Sequence, residues 1–140
     1  MKYSIVITIP SHPRYLSLIR TVTAKAGEIY GMSHDVIEKV KLAIDEACSN
    51  ILKYAYCGDA DKKIIVKFRV ARKKFEVIIE DSGIKAQPEC IAGRNLDDVR
   101  PGGLGIHLIK RAFDVYEFDE RKKTGNRLRL IKYIKAKNED

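Results

Sequence analysis

One carboxylate and one amide on a predicted helix could together act on a phosphorylated ligand. Glu46 and Asn50 are four residues apart, so on a helix both side chains project from the same side. The carboxylate can accept a proton, and the amide oxygen beside it can bind Mg²⁺, which prefers oxygen ligands. Two such residues also occur at this spacing by chance, and a solvated helix surface is the alternative interpretation.

A second candidate site follows a predicted strand, at Asp81-Ser82-Gly83. A carboxylate at a strand end could accept a hydrogen bond from the exocyclic amine of a ligand. A glycine two residues later would let a flat base approach the backbone, because glycine has no side chain. The same residue types also form ordinary turns, so the motif alone leaves both interpretations open.

A glycine-rich run, Gly102-Gly103-Leu104-Gly105-Ile106, opens the last predicted helix. Backbone N–H groups and the positive end of a helix dipole could meet a phosphate there. Flexibility at a helix start is the competing explanation. The run is not a Walker A motif, because the lysine followed by Ser or Thr is missing. Gly103-Leu104-Gly105 also lacks the third glycine, three residues further on, of a dinucleotide fingerprint.

Two helices must position the first candidate site. Apolar residues recur every three or four positions from Leu16 to Ile29, which predicts a helix that Gly31 ends in a left-handed conformation. Ser33 is the expected N-cap of the next helix, which runs to about Tyr56 and buries one apolar stripe. The stripe consists of Val36, Val40, Ala43, Ile44, Ala47 and Ile51.

Strands are predicted before and after this helix pair. The β-branched run at residues 2–9 predicts an opening strand that Pro10 ends. Residues 64–71 and 75–80 alternate in polarity, which predicts a hairpin with one buried face. Residues 115–121 and 127–134 predict a final hairpin. In it Leu128 and Leu130 face inward and Arg127 and Arg129 face outward.

The remaining segments complete the fold class. Residues 81–102 show no period, which is long for a connection inside a domain and suggests a functional loop or lid. Leu104 to Phe113 is predicted to be a short helix, and the tail after Lys135 is expected to fray. The order of elements predicts an α+β fold, a two-layer sandwich with helices on one face of a mostly antiparallel sheet.

Length and composition fit one domain. The 140 residues can bury a core but not a second full domain, so residues 1–140 are expected to form a single domain. No window approaches the length of a membrane span and no secretion signal is visible, so a cytoplasmic protein is expected. Cys48, Cys57 and Cys90 contain no C-x-x-C pair and are predicted to be reduced thiols.

The order of the three candidate sites resembles that of the GHKL superfamily of ATP-binding domains (the Bergerat fold), which includes gyrase, the Hsp90 chaperones, histidine kinases and MutL. The matching segments are the N box Asp45-Glu46-Ala47-Cys48-Ser49-Asn50, the G1 box Asp81-Ser82-Gly83 and the G2 box Gly103-Leu104-Gly105. The length, the helix pair before the N box and the closing Gly125-Asn126-Arg127-Leu128-Arg129-Leu130 are similar to the small bacterial anti-sigma factor serine kinases.

This resemblance implies an ATP site that uses Mg²⁺. Glu46 would be the catalytic base and Asn50 the Mg²⁺ ligand, with Asp45 assisting. Asp81 would contact adenine, and Gly83 would give the base room. The positions implied for ATP binding are Asn50, Asp81, Gly83, Gly103, Leu104 and Gly105.

The resemblance also implies protein partners. Such a kinase would phosphorylate a serine of an antagonist (anti-anti-sigma) protein and sequester a sigma factor, and a homodimer is implied. Arg20, on the first helix, would contact these partners. Two departures from the family pattern are Lys85, which replaces the second glycine of the G1 box, and the net charge of +8.

Two other classes of function remain open from the residues. A non-catalytic adaptor would keep the fold and only bind a regulator. Basic residues on strands and turns could bind nucleic acid, although aromatic residues for base stacking are few, so direct nucleic-acid binding is not expected. These basic residues are Lys67, Arg69, Arg72, Lys73, Lys74, Arg121, Lys122, Lys123, Arg127, Arg129 and Lys132.

Overall fold

The computed structural model describes residues 3–71, 73–86 and 103–134, and the helices in these ranges form one layer. After a 3₁₀ turn at Pro13–Tyr15, helix α1 spans Leu16–Ile29. Gly31 follows with φ +78°, which confirms the predicted left-handed helix end. Helix α2 spans His34–Asn50 and helix α3 spans Gly103–Ala112. No described helix is long and apolar enough to cross a membrane.

The two ends of α2 differ in how well the sequence predicted them. Ser33 is the N-cap as predicted, because its hydroxyl accepts a hydrogen bond from the Val36 N–H at 3.3 Å. The regular helix ends at Asn50, earlier than predicted, and Ile51–Ala55 form a π-helical turn. In this wider turn the N–H of residue 56 donates to the carbonyl of residue 51 at 2.9 Å.

The described strands form one antiparallel sheet with the order β1-β2-β3-β5-β4. Alternate residues of the central strands, such as Phe68, Val77 and Leu130, are fully buried in a core shared with the helices. The predicted α+β fold, with helices on one face of the sheet, is confirmed. The strands are β1 (Tyr3–Pro10), β2 (Lys63–Ala71), β3 (Lys74–Asp81), β4 (Val115–Phe118) and β5 (Asn126–Tyr133).

Strand β3 is buried on both faces, so the prediction of one buried face is wrong for this strand. Its outward residues Glu76 and Glu80 are only 9% and 8% exposed. Arg129 and Arg127 of β5 face outward as predicted and form ion pairs with these glutamates at 2.6 and 2.5 Å. Long cationic side chains from neighbouring strands therefore cover β3, which alternation along one strand does not encode.

Strand β4 ends at Phe118, earlier than the predicted residue 121. Asp119 turns the chain, because its Oδ1 accepts hydrogen bonds from the backbone N–H and the Nε of Arg121 at 3.0 and 2.9 Å. Residues 87–102, which include most of the predicted loop or lid, and the tail from residue 135 lie outside the described residues.

Candidate functional site

Helices α2 and α3 bring Glu46 and Gly105 into contact. A Cβ atom built at Gly105 would overlap Oε2 of Glu46 and would lie 3.1 Å from its Cδ. The Glu46 carboxylate therefore occupies the space that a side chain at position 105 would need. Two residues from separate predicted motifs, 59 positions apart in the chain, meet at the start of α3.

The two candidate site residues of the predicted N box are both partly exposed to solvent. Glu46 and Asn50 are half-buried, and within the described part of the chain neither side chain forms a hydrogen bond. The described residues contain no group of three His, Cys, Asp or Glu side chains that could hold a metal. Asn50 fits Mg²⁺ as a single oxygen ligand, since this ion keeps phosphate and water ligands when it binds a nucleotide.

The Asp81 carboxylate is buried at the end of β3. It is 5% exposed, and its Oδ1 accepts hydrogen bonds from the Gly83 N–H at 2.9 Å and from Nδ2 of Asn126 at 3.0 Å. Burial raises the pKa of Asp81, and these hydrogen bonds offset the increase only in part. The chain thus holds a hydrogen-bond acceptor at a position nearly closed to solvent.

The π-helical turn that follows α2 anchors the segment after β3. The Ile84 N–H donates to the Ala55 carbonyl at 2.9 Å, and a Cβ at Gly83 would overlap that same carbonyl oxygen. Packing against Ala55 therefore explains the glycine, and the room that it would give a base stays a prediction. The Tyr56 hydroxyl accepts a hydrogen bond from the Ser82 N–H at 2.9 Å, which fixes the same junction.

The fold separates the predicted site residues into two groups. One group lies near the Glu46 end of the helical segment 46–55, and the other lies near its Ala55 end. Glu46, Asn50 and the start of α3 form one group. Asp81 and Gly83 form the other. Gly103 is the first residue of α3, and the side chain of Leu104 lies outside the described residues.

Asn126 belongs to the second group, and no role was predicted for it. It is 7% exposed and contacts Asp81 directly through its side chain. The sequence signal was weak, because an asparagine after a glycine at the start of a strand is typical of any turn. Only the pairing of β3 with β5 brings it to the site.

Arg20 lies on α1, beside the N box. Its Nη1 contacts Oδ1 of Asp45 at 2.6 Å, and the two side chains are 44% and 29% exposed. Asp45 precedes Glu46 in the chain. The residue predicted to contact partners is therefore next to the Glu46 group, and its side chain is partly exposed to solvent.

Acidic residues neutralise much of the basic outer face of the sheet. The cations of β2 and β5 pair with the two glutamates of β3, so they are not free to form a uniform positive patch. These pairs are Lys67 and Arg127 with Glu80, and Arg69 and Arg129 with Glu76.

Comparison with known families agrees with the fold. Residues 9–132 match the family model described as the histidine kinase-like ATPase domain, and the chain belongs to this family. The resemblance to the GHKL superfamily found in the sequence is thereby confirmed.

Among individual proteins, the chain is similar to serine-protein kinases named RsbW. The chain is 31% identical to that of Listeria innocua, covering 98% of this chain and 91% of the relative. It is 32% identical to that of Staphylococcus aureus, covering 91% and 84%. The solved structure of the RsbU and RsbW domains of a Mycobacterium tuberculosis protein has a TM-score of 0.68 and 15% identity. It covers 94% of this chain, which spans 32% of that structure, and it supports the fold alone.

Proposed function

We propose that this protein is an ATP- and Mg²⁺-dependent serine protein kinase and anti-sigma factor of the RsbW kind. The observation that carries the proposal is the contact between the Glu46 carboxylate and Gly105 at the start of α3. The names of the relatives support the kinase activity. The family match over residues 9–132 supports one ATPase domain in residues 1–140.

The two groups of residues divide the reaction between them. Bound Mg·ATP supplies the phosphoryl group and the cation that neutralises its charge. Glu46 accepts the proton of the attacking serine hydroxyl, and Asn50 offers its amide oxygen to Mg²⁺. Asp81 accepts a hydrogen bond from the adenine amine, and N–H groups at Gly103–Gly105, including Leu104, bind phosphate.

Alignment of the target serine decides the outcome, because phosphoryl transfer depends mainly on positioning and charge stabilisation. The proposed substrate is a serine of an antagonist protein, and the proposed second partner is a sigma factor. Arg20 contacts these partners, since its exposed guanidinium is beside the Glu46 group. A homodimer is the proposed assembly, and the cytoplasm is the proposed location because the partners regulate transcription.

Nucleotide binding tests the site. Calorimetry with Mg·ATP is done on wild type and Asn50→Ala, with and without a chelator. We expect micromolar to sub-millimolar binding that requires Mg²⁺ and that the substitution weakens about tenfold, as for a lost metal ligand. No binding by folded wild type would contradict the proposal and favour a function of the outer sheet face.

Transfer of phosphate to the antagonist tests the chemistry. Glu46→Gln keeps the size of the side chain but removes the base, so we expect kcat to fall about 10²–10⁴-fold with little change in nucleotide affinity. Glu38→Gln is the matched control, because Glu38 is an exposed carboxylate of the same helix that pairs with Lys41. An unchanged rate in Glu46→Gln would exclude Glu46 as the base. Nucleotide binding without transfer by wild type would indicate an adaptor.

A further inference from the structure

The side chain of Asn126 joins Asp81 to the segment that leaves β3. Its Nδ2 donates to the two Asp81 oxygens at 3.0 and 3.3 Å and to the Ile84 carbonyl at 2.9 Å. Its Oδ1 accepts a hydrogen bond from the Ala86 N–H at 2.8 Å. Both polar atoms of a buried amide are therefore satisfied by two separate parts of the chain.

Only one orientation of this amide satisfies its neighbours. Exchanging its oxygen and nitrogen would set the oxygen against the Asp81 carboxylate and the Ile84 carbonyl. The same exchange would set an NH₂ group against the Ala86 N–H. A carboxylate at position 126 could not donate, and a single hydroxyl could not reach partners in three directions. The set of contacts thus requires an amide.

The backbone before Asn126 is shaped for this close approach. Gly125 has φ +69°, in the left-handed region, and a Cβ there would overlap the Asp81 carbonyl oxygen and lie 2.7 Å from the Ser82 Cα. Glycine therefore lets the turn before β5 lie directly on the end of β3. The amide of Asn126 enters the site as a result of this packing.

Two further contacts fasten the same segment. The Lys85 ammonium donates to the Lys122 carbonyl in the turn between β4 and β5. The Ile84 N–H donates to the Ala55 carbonyl at the end of the π-helical turn. The segment from residue 84 to residue 86 is thus held between the π-helical turn on one side and the β4–β5 turn with Asn126 on the other.

We infer that Asn126 is a positioning residue of the nucleotide site, which orients the Asp81 carboxylate and couples it to the backbone of Ile84–Ala86. The inference rests on the function proposed above. Oδ1 of Asp81 accepts the shorter side-chain and Gly83 hydrogen bonds, at 3.0 and 2.9 Å, whereas Oδ2 lies 3.3 Å from the Asn126 amide and can accept a further hydrogen bond from adenine. Because the amide is neutral, it orients the carboxylate without neutralising its charge.

Hydrogen exchange tests the coupling without nucleotide. In Asn126→Ala the Ala86 N–H loses its acceptor, so its exchange should accelerate at least about tenfold. The amide of Leu130, in the middle of β5, should keep its protection. Ile131→Val is the matched control, because Ile131 is buried on the outer face of the same strand and does not contact Asp81. Unchanged exchange at Ala86 would overturn the inference.

Nucleotide affinity tests the positioning. Asn126→Ala should raise the Kd of Mg·ATP and of Mg·ADP by about tenfold each, because both contain adenine. The acid limb of the binding curve should also move to higher pH, since the Asn126 hydrogen bond lowers the pKa of Asp81. Lys122 acts on Asp81 in the same direction, and the Tyr56 hydroxyl bonds to the adjacent Ser82, but neither group changes in the variant.

The outcomes separate this inference from the proposed function. If wild type binds Mg·ATP and Asn126→Ala has the same Kd and the same acid limb, the inference is overturned and the function stands. If folded wild type binds no nucleotide, the function fails and the role of Asn126 in a nucleotide site fails with it.

A second variant, Asn126→Asp, tests the inference if Asn126→Ala does not fold. Asn126→Asp has the same size, but ionised it cannot donate to Asp81. Two adjacent carboxylates would share a proton, so the acid limb should move further upward. A folded Asn126→Asp protein with the wild-type acid limb would overturn the inference.

Discussion

Two adjacent carboxylates at the end of β3 face opposite sides of the sheet and have opposite environments. On the inner face Asp81 pairs in register with Asn126, and on the outer face Glu80 pairs with Arg127. Burial raises the pKa of Asp81, and uncharged hydrogen-bond donors, with a smaller contribution from the charge of Lys122, offset this only in part. Burial also acts to raise the pKa of Glu80, but Arg127 and Lys67 outweigh it, so the pKa is lowered.

The difference shows how one strand pair can serve both binding and stability. The outer carboxylate has cationic partners, so its charge is used within the protein. The inner carboxylate has a neutral partner, so its charge remains available to a ligand. Because successive residues of a strand face opposite sides, a single register produces both arrangements.

Removing the inner charge should have the largest effect on binding. Asp81→Asn replaces the carboxylate that would accept a hydrogen bond from the adenine amine with a neutral amide. We therefore expect the Kd of Mg·ATP to rise about 100-fold, which corresponds to about 2.7 kcal/mol. Calorimetry measures the Kd, and circular dichroism checks the fold. Glu80→Gln is the matched control on the outer face and should keep the wild-type Kd. Equal affinities for Asp81→Asn and wild type would contradict the assignment of Asp81.

Breaking the outer pair should reduce stability and leave binding unchanged. In Arg127→Gln the Glu80 side chain, 11% exposed, keeps only Lys67 at 3.5 Å among its ion-pair partners in the described residues. We expect the free energy of unfolding to fall by about 1–2 kcal/mol, measured in urea. Lys132→Gln, which breaks a looser pair with Asp114 at 3.8 Å, should cost less. A weakened Mg·ATP affinity in Arg127→Gln would show that the two faces are not independent.

Acid should change the contributions of Glu80 and Asp81 to the free energy of unfolding in opposite directions. Each change should be smaller than the loss caused by Arg127→Gln. The folded-state pKa of Glu80 is lowered, so its stabilisation is present above the unfolded pKa and is lost as pH falls through the folded pKa. The folded-state pKa of Asp81 is raised, so its cost is present at neutral pH and disappears below the unfolded pKa.

Urea unfolding between neutral and acidic pH measures this contrast. Glu80→Gln should make the loss of stability in acid shallower than in wild type. Asp81→Asn should make it steeper, because the variant lacks the compensating gain. Parallel curves for both variants and wild type would contradict the opposite pKa shifts.

The Arg20–Asp45 pair extends the comparison to an ion pair in contact with water. Although its two atoms are 2.6 Å apart, both side chains are partly exposed. Asp45→Asn should therefore change the free energy of unfolding by less than about 0.5 kcal/mol, with weak dependence on salt. A loss above about 1 kcal/mol in urea unfolding would mean that the pair stabilises the α1–α2 contact more than exposed ion pairs usually do.

Features set by local sequence were predicted well. The cap at Ser33 and the helix end at Gly31 each depend on a few neighbouring residues. Alternation along β5 was sufficient to separate inward Leu130 from outward Arg129. The order of the motifs was also sufficient to predict the family.

Features set by distant pairing could not be predicted in the same way. The burial of Glu76 depends on Arg129, which β5 contributes 53 positions later in the chain. The contact of Asn126 with Asp81 depends on the register of β3 with β5. The π-helical turn at Ile51–Ala55 has no pattern of its own in an apolar helical segment. Each requires knowledge of which elements become neighbours.

The chain from α2 into the π-helical turn also sets a minimum ligand length. Glu46 and Ala55 are nine positions apart, and Ala55 anchors the segment next to Asp81. At a helical rise of 1.5 Å per residue, the two ends are separated by about 13 Å. A ligand that contacts both groups of residues must therefore be elongated, with its two recognised parts well separated. This helical segment is therefore a rigid spacer that sets how far apart those two parts of the ligand lie.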